Sequence, residues 1–206
     1  MSAQAVEKLR SDARDNRGRI LAAARLAFAT EGLDVPIREI ARLARVGPAT
    51  VYRHFPTKEA LFTDVFAEQM TMCSEVVDEG LAAADPWYGF RLVIERLMEM
   101  HARDRGFARA FISRLPEAAG FAAEGDRTLR LLLELVRRAK AAGDLRDDFV
   151  LEDISLALMA NEGIRAGSPE MRVAASRRFA ALMIQSFQAH PVPGALPPAV
   201  RLPLSR

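Results

Sequence analysis

Between Val35 and Leu61 the chain reads VPIREIARLARVGPATVYRHFPTKEAL, a pattern of two short helices joined by a tight turn and followed by the start of a longer helix. Pro36 suits the first turn of a helix, because the amide hydrogen that proline lacks would have no partner there. Apolar residues then recur at spacings of three and four, which gives the first short helix one apolar face: Ile37, Ile40, Ala41 and Ala44. A second short helix is predicted from Pro48 to His54. Because helices this short are not stable alone, the pattern predicts a helix-turn-helix packed on a larger helical body.

This stretch resembles the DNA-binding domain of the TetR family of transcriptional regulators, and the resemblance extends from about Asn16 to Phe66. It rests on an amphipathic first helix, an Ile-Ala pair in the second, a Tyr-Arg-His-Phe ending of the recognition helix and Pro-Thr-Lys before the fourth. Two residues depart from the usual pattern: Arg45 stands where a turn glycine is commonest, and Gly47 where a serine usually caps the recognition helix. An arginine with a positive φ costs roughly 1 kcal/mol. The resemblance implies a DNA-binding regulator of transcription.

Charge is distributed unevenly along the 206 residues. The formal net charge is +2, but residues 1–58 carry 11 Lys and Arg against 6 Asp and Glu, so the remainder is net negative. This asymmetry is typical of a basic DNA-binding module joined to a body with another role. The single cysteine, Cys73, cannot form an intrachain disulfide, and no apolar run reaches the roughly 18 residues of a membrane span. The sequence therefore predicts a cytoplasmic protein with no membrane partner.

Helical periodicity continues along the chain, and no segment has a convincing strand pattern. The predicted fold class is all-α, with an N-terminal three-helix helix-turn-helix DNA-binding domain joined to a C-terminal helical ligand-binding and dimerisation domain. Further helices are predicted at about 13–30, 58–83, 87–103, 107–114, 117–142, 152–166 and 169–189. The domains are predicted as a flexible arm at 1–12, the DNA-binding domain at 13–65, the effector-binding and dimerisation domain at 66–189, and a disordered, proline-rich tail at 190–206.

The predicted recognition helix, residues 48–54, is short, so few of its side chains can reach base edges in the major groove. By their position, four residues are expected to be exposed there: Pro48, Ala49, Thr50 and Arg53. Arg38, on the outer face of the preceding helix, is a candidate for a further base or backbone contact. The resemblance implies phosphate contacts for Tyr52, His54 and Lys58, and Lys58 also begins a helix whose N-terminal amides favour an anion.

Other interpretations are open for several of these residues. The ring of Tyr52 could pack in the core of the module, and His54 could cap the next helix. Arg14 and Arg17 are candidates for reaching an adjoining groove, whereas Arg42 and Arg45 are interpreted as solvated charges.

A helix-turn-helix of this size reads one half-site, so a two-fold homodimer on a palindromic double-stranded DNA operator is expected. The last two predicted helices carry apolar residues that could hold the dimer: Ile154, Leu156, Ala157, Met159, Ala160, Ile164, Phe179, Leu182, Met183 and Phe187. The alternative is that these residues pack only within their own chain.

The central helices carry large, adaptable side chains that could enclose a small-molecule effector: Trp87, Phe90, Met98, His101, Phe107, Phe111 and Phe121. The alternative is that these side chains only fill a packed core, but TetR-like regulators commonly bind a small molecule in this region. His101 is the favoured polar group, with Arg105, Arg109 and Asn161 as weaker candidates. The sequence does not identify the effector.

No arrangement typical of catalysis, metal binding or cofactor binding is present in the sequence, so we predict that the protein is not an enzyme and has no cofactor. The predicted function is a DNA-binding transcriptional repressor that is released by a small-molecule effector. The alternative is an effector-independent DNA-binding or scaffold protein.

Overall fold

The computed structural model describes residues 3–113, 122–191 and 194–202. Its helices are α1 (Ala3–Thr30), α2 (Ile37–Ala44), α3 (Pro48–His54), α4 (Lys58–Ala82), α5 (Pro86–Arg103), α6 (Arg105–Ser113), α7 (Ala122–Ala141), α8 (Leu151–Glu162) and α9 (Pro169–Phe187). Within the described ranges there is no strand, only an isolated antiparallel bridge between Leu145 and Gln188. The prediction of an all-α fold is confirmed.

Side-chain caps fix several helix starts where the sequence predicted them. The hydroxyl of Thr57 accepts a hydrogen bond from the amide of Ala60 at 3.0 Å at the start of α4, and the carboxylate of Asp85 accepts from Trp87 at 2.9 Å at the start of α5. Ser168 caps α9 in the same way, accepting from Met171 at 3.2 Å. Each cap satisfies an amide that has no partner inside its own helix.

Two helix boundaries differ clearly from the prediction. The structure begins α1 at Ala3 rather than at about residue 13, because residues 3–12 are mostly good helix formers without proline or glycine. The arm predicted over residues 1–12 is thus largely helical. The second difference is at α8, which ends at Glu162, with Gly163 rather than Gly167 as the stop, so Ile164 lies beyond the helix.

The tail lies partly along α9. In the described residues of the tail there is no helix or strand, but Gln185 donates to the carbonyl of Gly194 at 3.3 Å and Arg178 donates to the carbonyl of Pro197. The sequence predicted disorder for residues 190–206, and these two contacts instead place part of the segment against the helix.

α4 joins the N-terminal module to the body through aromatic packing. Phe62 and Phe66 of α4 lie 5.1 Å apart between ring centroids, and Phe28 of α1 lies 5.4 Å and 6.1 Å from them. Phe66 also lies 5.9 Å from Phe107 of α6 in the body. In the body, α5 is the central helix and packs against α4, α6, α7, α8 and α9. None of the described helices is long and apolar enough to cross a membrane.

Candidate DNA-binding and effector sites

The turn between α2 and α3 is built around Arg45, whose backbone adopts the left-handed conformation with φ 56° and ψ 45°. The amide of Arg45 donates to Arg42 at 3.1 Å, and the amide of Val46 donates to Ala41 at 3.0 Å, which closes the end of α2. Gly47 follows in an extended conformation as the cap of α3. The turn therefore keeps the geometry that usually takes glycine, although arginine occupies the position.

α3 is fixed to the module by its apolar side, which leaves the other side free for DNA. Val51 and Phe55 are buried against the core. Among the predicted base-contacting residues, Pro48, Ala49 and Arg53 are exposed and Thr50 is half-buried. These four positions form the accessible surface that a major groove would meet.

The predicted phosphate-contacting residues differ in their accessibility. Tyr52 is 52% exposed, which is inconsistent with the alternative that its ring packs in the core. His54 is half-buried, and its Nε2 atom is enclosed and has no hydrogen-bond partner among the described residues. Lys58 is half-buried at the first position of α4, and Arg38 is exposed on α2. Tyr52 and Arg38 are therefore the more accessible of these side chains.

Two arginines of the module are engaged in contacts within it. Nη2 of Arg17 lies 2.6 Å from a carboxylate oxygen of Asp64, and its guanidinium lies 5.5 Å from the ring centroid of Phe55. In the absence of DNA, the side chain of Arg17 joins α1 to α4, and its reach to an adjoining groove stays a prediction. Arg42 is bound to the carboxylate of Glu39, and this hydrogen bond lowers the pKa of Glu39.

The aromatic residues predicted to bind an effector fall into two separate clusters. In the first, Trp87 stacks on Phe90 at 5.6 Å, and Phe90 lies 5.3 Å from Phe149. Phe187 completes this cluster at 5.0 Å from Phe149. Phe149 and Phe187 come from positions far along the chain, so periodicity within α5 could not indicate these partners. This first cluster is a packed core.

The second cluster surrounds His101 at the end of α5. Its ring lies 5.4 Å from Phe107 and 5.1 Å from Phe111, in edge-to-face arrangements. The carbonyl of Met98, one turn earlier, accepts hydrogen bonds from Asn161 at 2.9 Å and from Ser176 at 3.0 Å. Phe121, the remaining predicted effector residue, lies outside the described residues. The predicted effector set therefore does not form one site.

His101 is neutral in this environment. It is buried, and its burial lowers the pKa of the imidazole to about 4. Loss of hydration disfavours the charged form, and it is the cause of this shift. His101 is thus a neutral polar group within an apolar cluster.

The residues predicted for the dimer interface separate into a buried and an exposed group. Ile154, Ala157 and Phe187 are buried within their own chain, so the prediction that they face a partner is wrong. Their helix faces pack on α5, which helical periodicity alone cannot distinguish from packing on a second subunit. The predicted interface residues that are exposed or half-buried on the two helices are Leu156, Met159, Ala160, Phe179, Leu182 and Met183. Ile164 is half-buried just after α8.

A surface groove of about 420 Å³ lies between the end of α5 and the start of α9. Its lining residues are Arg103, Pro169, Glu170, Val173, Ala174 and Arg177. Glu99 accepts hydrogen bonds from Arg177 and Arg103, which lower the pKa of its carboxyl to about 2. None of the predicted effector residues lines this groove.

The described side chains give no support for a catalytic or metal centre. Cys73 is buried with its Sγ 3.7 Å from the sulfur of Met100, and its burial raises the pKa of the thiol to about 12, so it is not a thiolate nucleophile. Across residues 3–113, 122–191 and 194–202, no three His, Cys, Asp or Glu residues are grouped so as to hold a metal ion.

The helix-turn-helix with an accessible recognition helix, carried on a helical body, identifies a DNA-binding protein of the helix-turn-helix class. Residues 20–65 match the model of the bacterial regulatory proteins of the tetR family. A TetR transcription regulatory protein from Mycobacterium vanbaalenii is 32% identical, with 87% of this chain and 99% of that chain covered and a TM-score of 0.45. The chain belongs to the TetR family of transcriptional regulators.

Two further solved structures resemble the chain. A TetR transcriptional regulator from Streptomyces coelicolor is 29% identical, covers 84% of this chain and 98% of its own, and has a TM-score of 0.50. FadR from Bacillus subtilis, in complex with stearoyl-CoA, is 19% identical over 82% of this chain and 98% of its own, with a TM-score of 0.54, and this likeness shows the fold alone. No curated protein sequence matches the chain.

Proposed function

We propose that the protein is a transcriptional repressor that binds a palindromic operator as a homodimer and leaves it when a small-molecule effector binds. The observation that carries this proposal is the recognition helix α3, whose apolar side is buried while Arg53 and its neighbours are exposed. Because its target is DNA, we place the protein in the cytoplasm.

On the operator, Pro48, Ala49, Thr50 and Arg53 meet base edges in the major groove. The hydroxyl of Thr50 can donate and accept, and the guanidinium of Arg53 can make two hydrogen bonds to guanine. Tyr52, His54, Lys58 and Arg38 hold the phosphate backbone on either side, which fixes the position of α3 without reading sequence.

The exposed apolar residues of α8 and α9 support the homodimer. Leu156 is 65% exposed and Met159 is 54% exposed, and Leu182 of α9 is also exposed. Apolar side chains grouped on neighbouring helices in this way are typical of a surface that a partner covers. A second copy of the chain would place two recognition helices on one palindrome.

Contacts of α6 support communication between the dimer helices and the DNA-binding domain. Nε of Arg109 lies 3.3 Å from Glu162 at the end of α8, and its Nη1 donates to the carbonyl of Ala29 in α1 at 3.3 Å. A shift of α6 on effector binding would therefore move α1 as well as α8. By linkage, operator DNA should weaken effector binding by the same factor by which the effector weakens operator binding.

The proposal is tested first by selecting bound fragments from a random pool of double-stranded DNA. We expect two inverted half-sites whose centres are about one helical turn apart. Recovery of single, unpaired half-sites would contradict the homodimer, and no enrichment at all would contradict sequence-specific regulation.

Two variants separate base reading from phosphate contact on the selected operator. Lys58→Ala should weaken binding to all sequences and should reduce the slope of log K against log salt concentration by about one, since one phosphate contact is lost. Arg53→Ala should in addition relax the preference for one base at one position of the operator. Glu59→Ala, the next residue of α4, is the control and should not weaken binding. Equal loss on every sequence from Arg53→Ala would assign that side chain to the backbone.

The alternative function is an effector-independent DNA-binding or scaffold protein. A chemical library is screened by thermal shift, and each stabilising compound is then added to the protein–operator complex. A compound that raises Tm and releases the operator over the same concentration range supports the repressor. Stabilisation without release from every such compound supports the alternative.

A further inference from the structure

Buried polar atoms without hydrogen-bond partners are grouped where α5, α6 and α8 meet. Among the described residues, neither ring nitrogen of His101 has a partner, and neither do Oδ1 of Asn161 and Nε of Arg105. His101 and Asn161 are each 1% exposed. A buried polar atom left without a partner costs about 1–3 kcal/mol, so such atoms are candidate contact points for a bound molecule or an ordered water.

The position of these groups is fixed by the helices around them. The amide nitrogen of Asn161 donates to the carbonyl of Met98 at 2.9 Å, one turn of α5 before His101, which leaves only Oδ1 of this side chain unsatisfied. The next residue of α8, Glu162, lies 3.7 Å from Arg105. The unsatisfied atoms therefore belong to one junction of three helices.

The walls of this junction are apolar and aromatic. The rings of Phe107 and Phe111 in α6 pack edge-to-face on the ring of His101, with centroid distances of 5.4 Å and 5.1 Å. Phe107 is fully buried, whereas Phe111 is half-buried and lies nearer the surface. A ligand that satisfies His101 must therefore be mostly apolar itself.

The polar groups favour a neutral partner over an anion. Burial holds the pKa of His101 at about 4, so at pH 7 its imidazole has one N–H donor and one nitrogen acceptor. Oδ1 of Asn161 is a second acceptor. An anionic oxygen has no hydrogen to donate to this acceptor. Arg105 and Arg109 both lie within 4 Å of the carboxylate of Glu162, which offsets one of their two charges.

We propose that the junction of His101, Asn161, Phe107 and Phe111 binds an apolar molecule that carries one uncharged hydroxyl group, with this hydroxyl hydrogen-bonded to His101 and Asn161. The proposal rests on the proposed function, because it assigns a ligand class to the effector site. It also places this site away from Trp87 and Phe90, which are packed with Phe149 and Phe187.

Three matched probes test the ligand class: para-propylphenol, its methyl ether and para-propylbenzoate. They share the apolar part and differ in carrying a hydroxyl, no donor or a negative charge. Isothermal titration of the full-length protein at pH 7 should show the phenol binding at least about tenfold more tightly than either of the other two. Tighter binding of the benzoate, equal binding of phenol and ether, or no saturable binding of any probe overturns the proposal.

Variants then test the residues. His101→Phe should abolish the preference for the phenol over its ether, and His101→Gln, which keeps a hydrogen-bonding group, should retain part of it. Phe149→Leu is the control, because it disturbs the other aromatic cluster and should leave the preference unchanged. If His101→Phe does not fold, the proposal is tested by the reduced preference for the phenol in His101→Gln and by the order of the three affinities for the unmodified protein. A full preference in a folded His101→Phe variant overturns the assignment of His101.

The effector function is measured separately by adding each probe to the protein–operator complex. Release by the phenol supports both the site and the repressor mechanism. Preferential binding of the phenol without release leaves the binding site in place and contradicts its role as an effector site. If the protein binds its operator sequence-specifically but binds none of the probes, the ligand class is contradicted and the proposed DNA-binding function is retained.

Discussion

Nη1 of Arg25 in α1 lies 3.3 Å from a carboxylate oxygen of Asp104, the residue between α5 and α6. The same guanidinium donates to the carbonyl of Val65 at 2.7 Å and to the side chain of Gln69 at 3.2 Å, both in α4. One side chain of the DNA-binding module therefore joins three elements: α1, α4 and the junction of α5 with α6.

The Arg25–Asp104 pair is predicted to stabilise the fold. Asp104→Asn keeps a side chain able to cap α6, where Asp104 accepts from the amide of Phe107 at 2.9 Å, but removes the charge that faces Arg25. A double-mutant cycle with Arg25→Met, measured by urea unfolding, should give an interaction energy of about 0.5–1 kcal/mol. The control is the more exposed Arg127–Asp78 pair, for which we expect a smaller value. Interaction energies of zero for Arg25 and Asp104 would contradict a role in joining the module to the body.

The crossing of α4 and α5 depends on two glycines. A Cβ at Gly89 would overlap the carbonyl of Gly80, and a Cβ at Gly80 would lie 2.9 Å from the carbonyl of Gly89. Gly89→Ala should therefore lower the free energy of unfolding by at least about 2 kcal/mol, because the helices must separate. Gly18→Ala is the matched control, since nothing lies within 4 Å of its added methyl, and it should raise stability by about 0.5–1 kcal/mol. Equal effects of the two substitutions on thermal unfolding would refute the close approach.

Replacing Arg45 by glycine should stabilise the helix-turn-helix. The residue has φ 56°, which costs an ordinary side chain roughly 1 kcal/mol, although glycine loses part of this gain through the entropy of the unfolded chain. We expect a gain of about 0.5 kcal/mol in urea unfolding. Arg42→Gly, three positions earlier inside α2, is the control and should lower the free energy of unfolding, because glycine is unfavourable inside a helix. A loss of stability in Arg45→Gly would mean that the side chain of Arg45 contributes more than its backbone costs.

The dimer surface is tested by placing charge on the exposed face of α8. Leu156→Glu should convert a dimer to a monomer in sedimentation experiments without unfolding it, because Leu156 is not part of its own chain's core. Leu129→Glu is the matched control, an exposed leucine of α7 that should leave the dimer intact. Ile154→Ala should instead lower stability by about 2–4 kcal/mol, as a buried residue does. A dimeric Leu156→Glu protein would place the interface elsewhere.

Stability should fall as His101 is forced to take up a proton. Its pKa is lowered from 6.5 to about 4 in the folded state, so below about pH 6.5 the unfolded chain binds a proton that the folded chain does not. The stabilisation by neutral His101 is therefore complete above about pH 6.5 and is lost as the pH falls towards 4, by an amount on the order of 3 kcal/mol. His101→Phe should lose less stability than the unmodified protein between pH 7 and pH 4.5 in urea titrations. Parallel stability curves for His101→Phe and the unmodified protein over this pH range would contradict the buried, neutral state of His101.

Local patterns predicted the DNA-binding module well. The recognition helix has the predicted bounds, and the apolar positions Ile40, Ala41 and Ala44 of α2 are buried as their spacing indicated. In short amphipathic helices the buried face is determined largely by neighbours in sequence, so the period of apolar residues is sufficient. The conformation of Arg45 needed the structure, because the residue type at that position does not itself require a positive φ.

The body was harder to predict because its helices are apolar on more than one side. Ile154 and Leu156 are two residues apart in α8, yet one is buried and the other is exposed. Likewise Phe90 and His101 belong to one helix but pack with partners from different parts of the chain. Composition indicated that these residues are important for packing or binding, but only the arrangement of the helices separates core, candidate interface and candidate ligand site.

The stacked pair of Trp87 and Phe90 makes the chain convenient for spectroscopy. Trp87 is the single tryptophan in the sequence, and it is buried at the start of α5, in the body rather than in the DNA-binding module. Its intrinsic fluorescence should consequently report on the α5–α9 core alone, with emission shifted to the blue in the folded state and to the red on unfolding. A fluorophore introduced on α3 would then follow the other half of the molecule at a separate wavelength, so melting of the two parts could be observed independently in one sample.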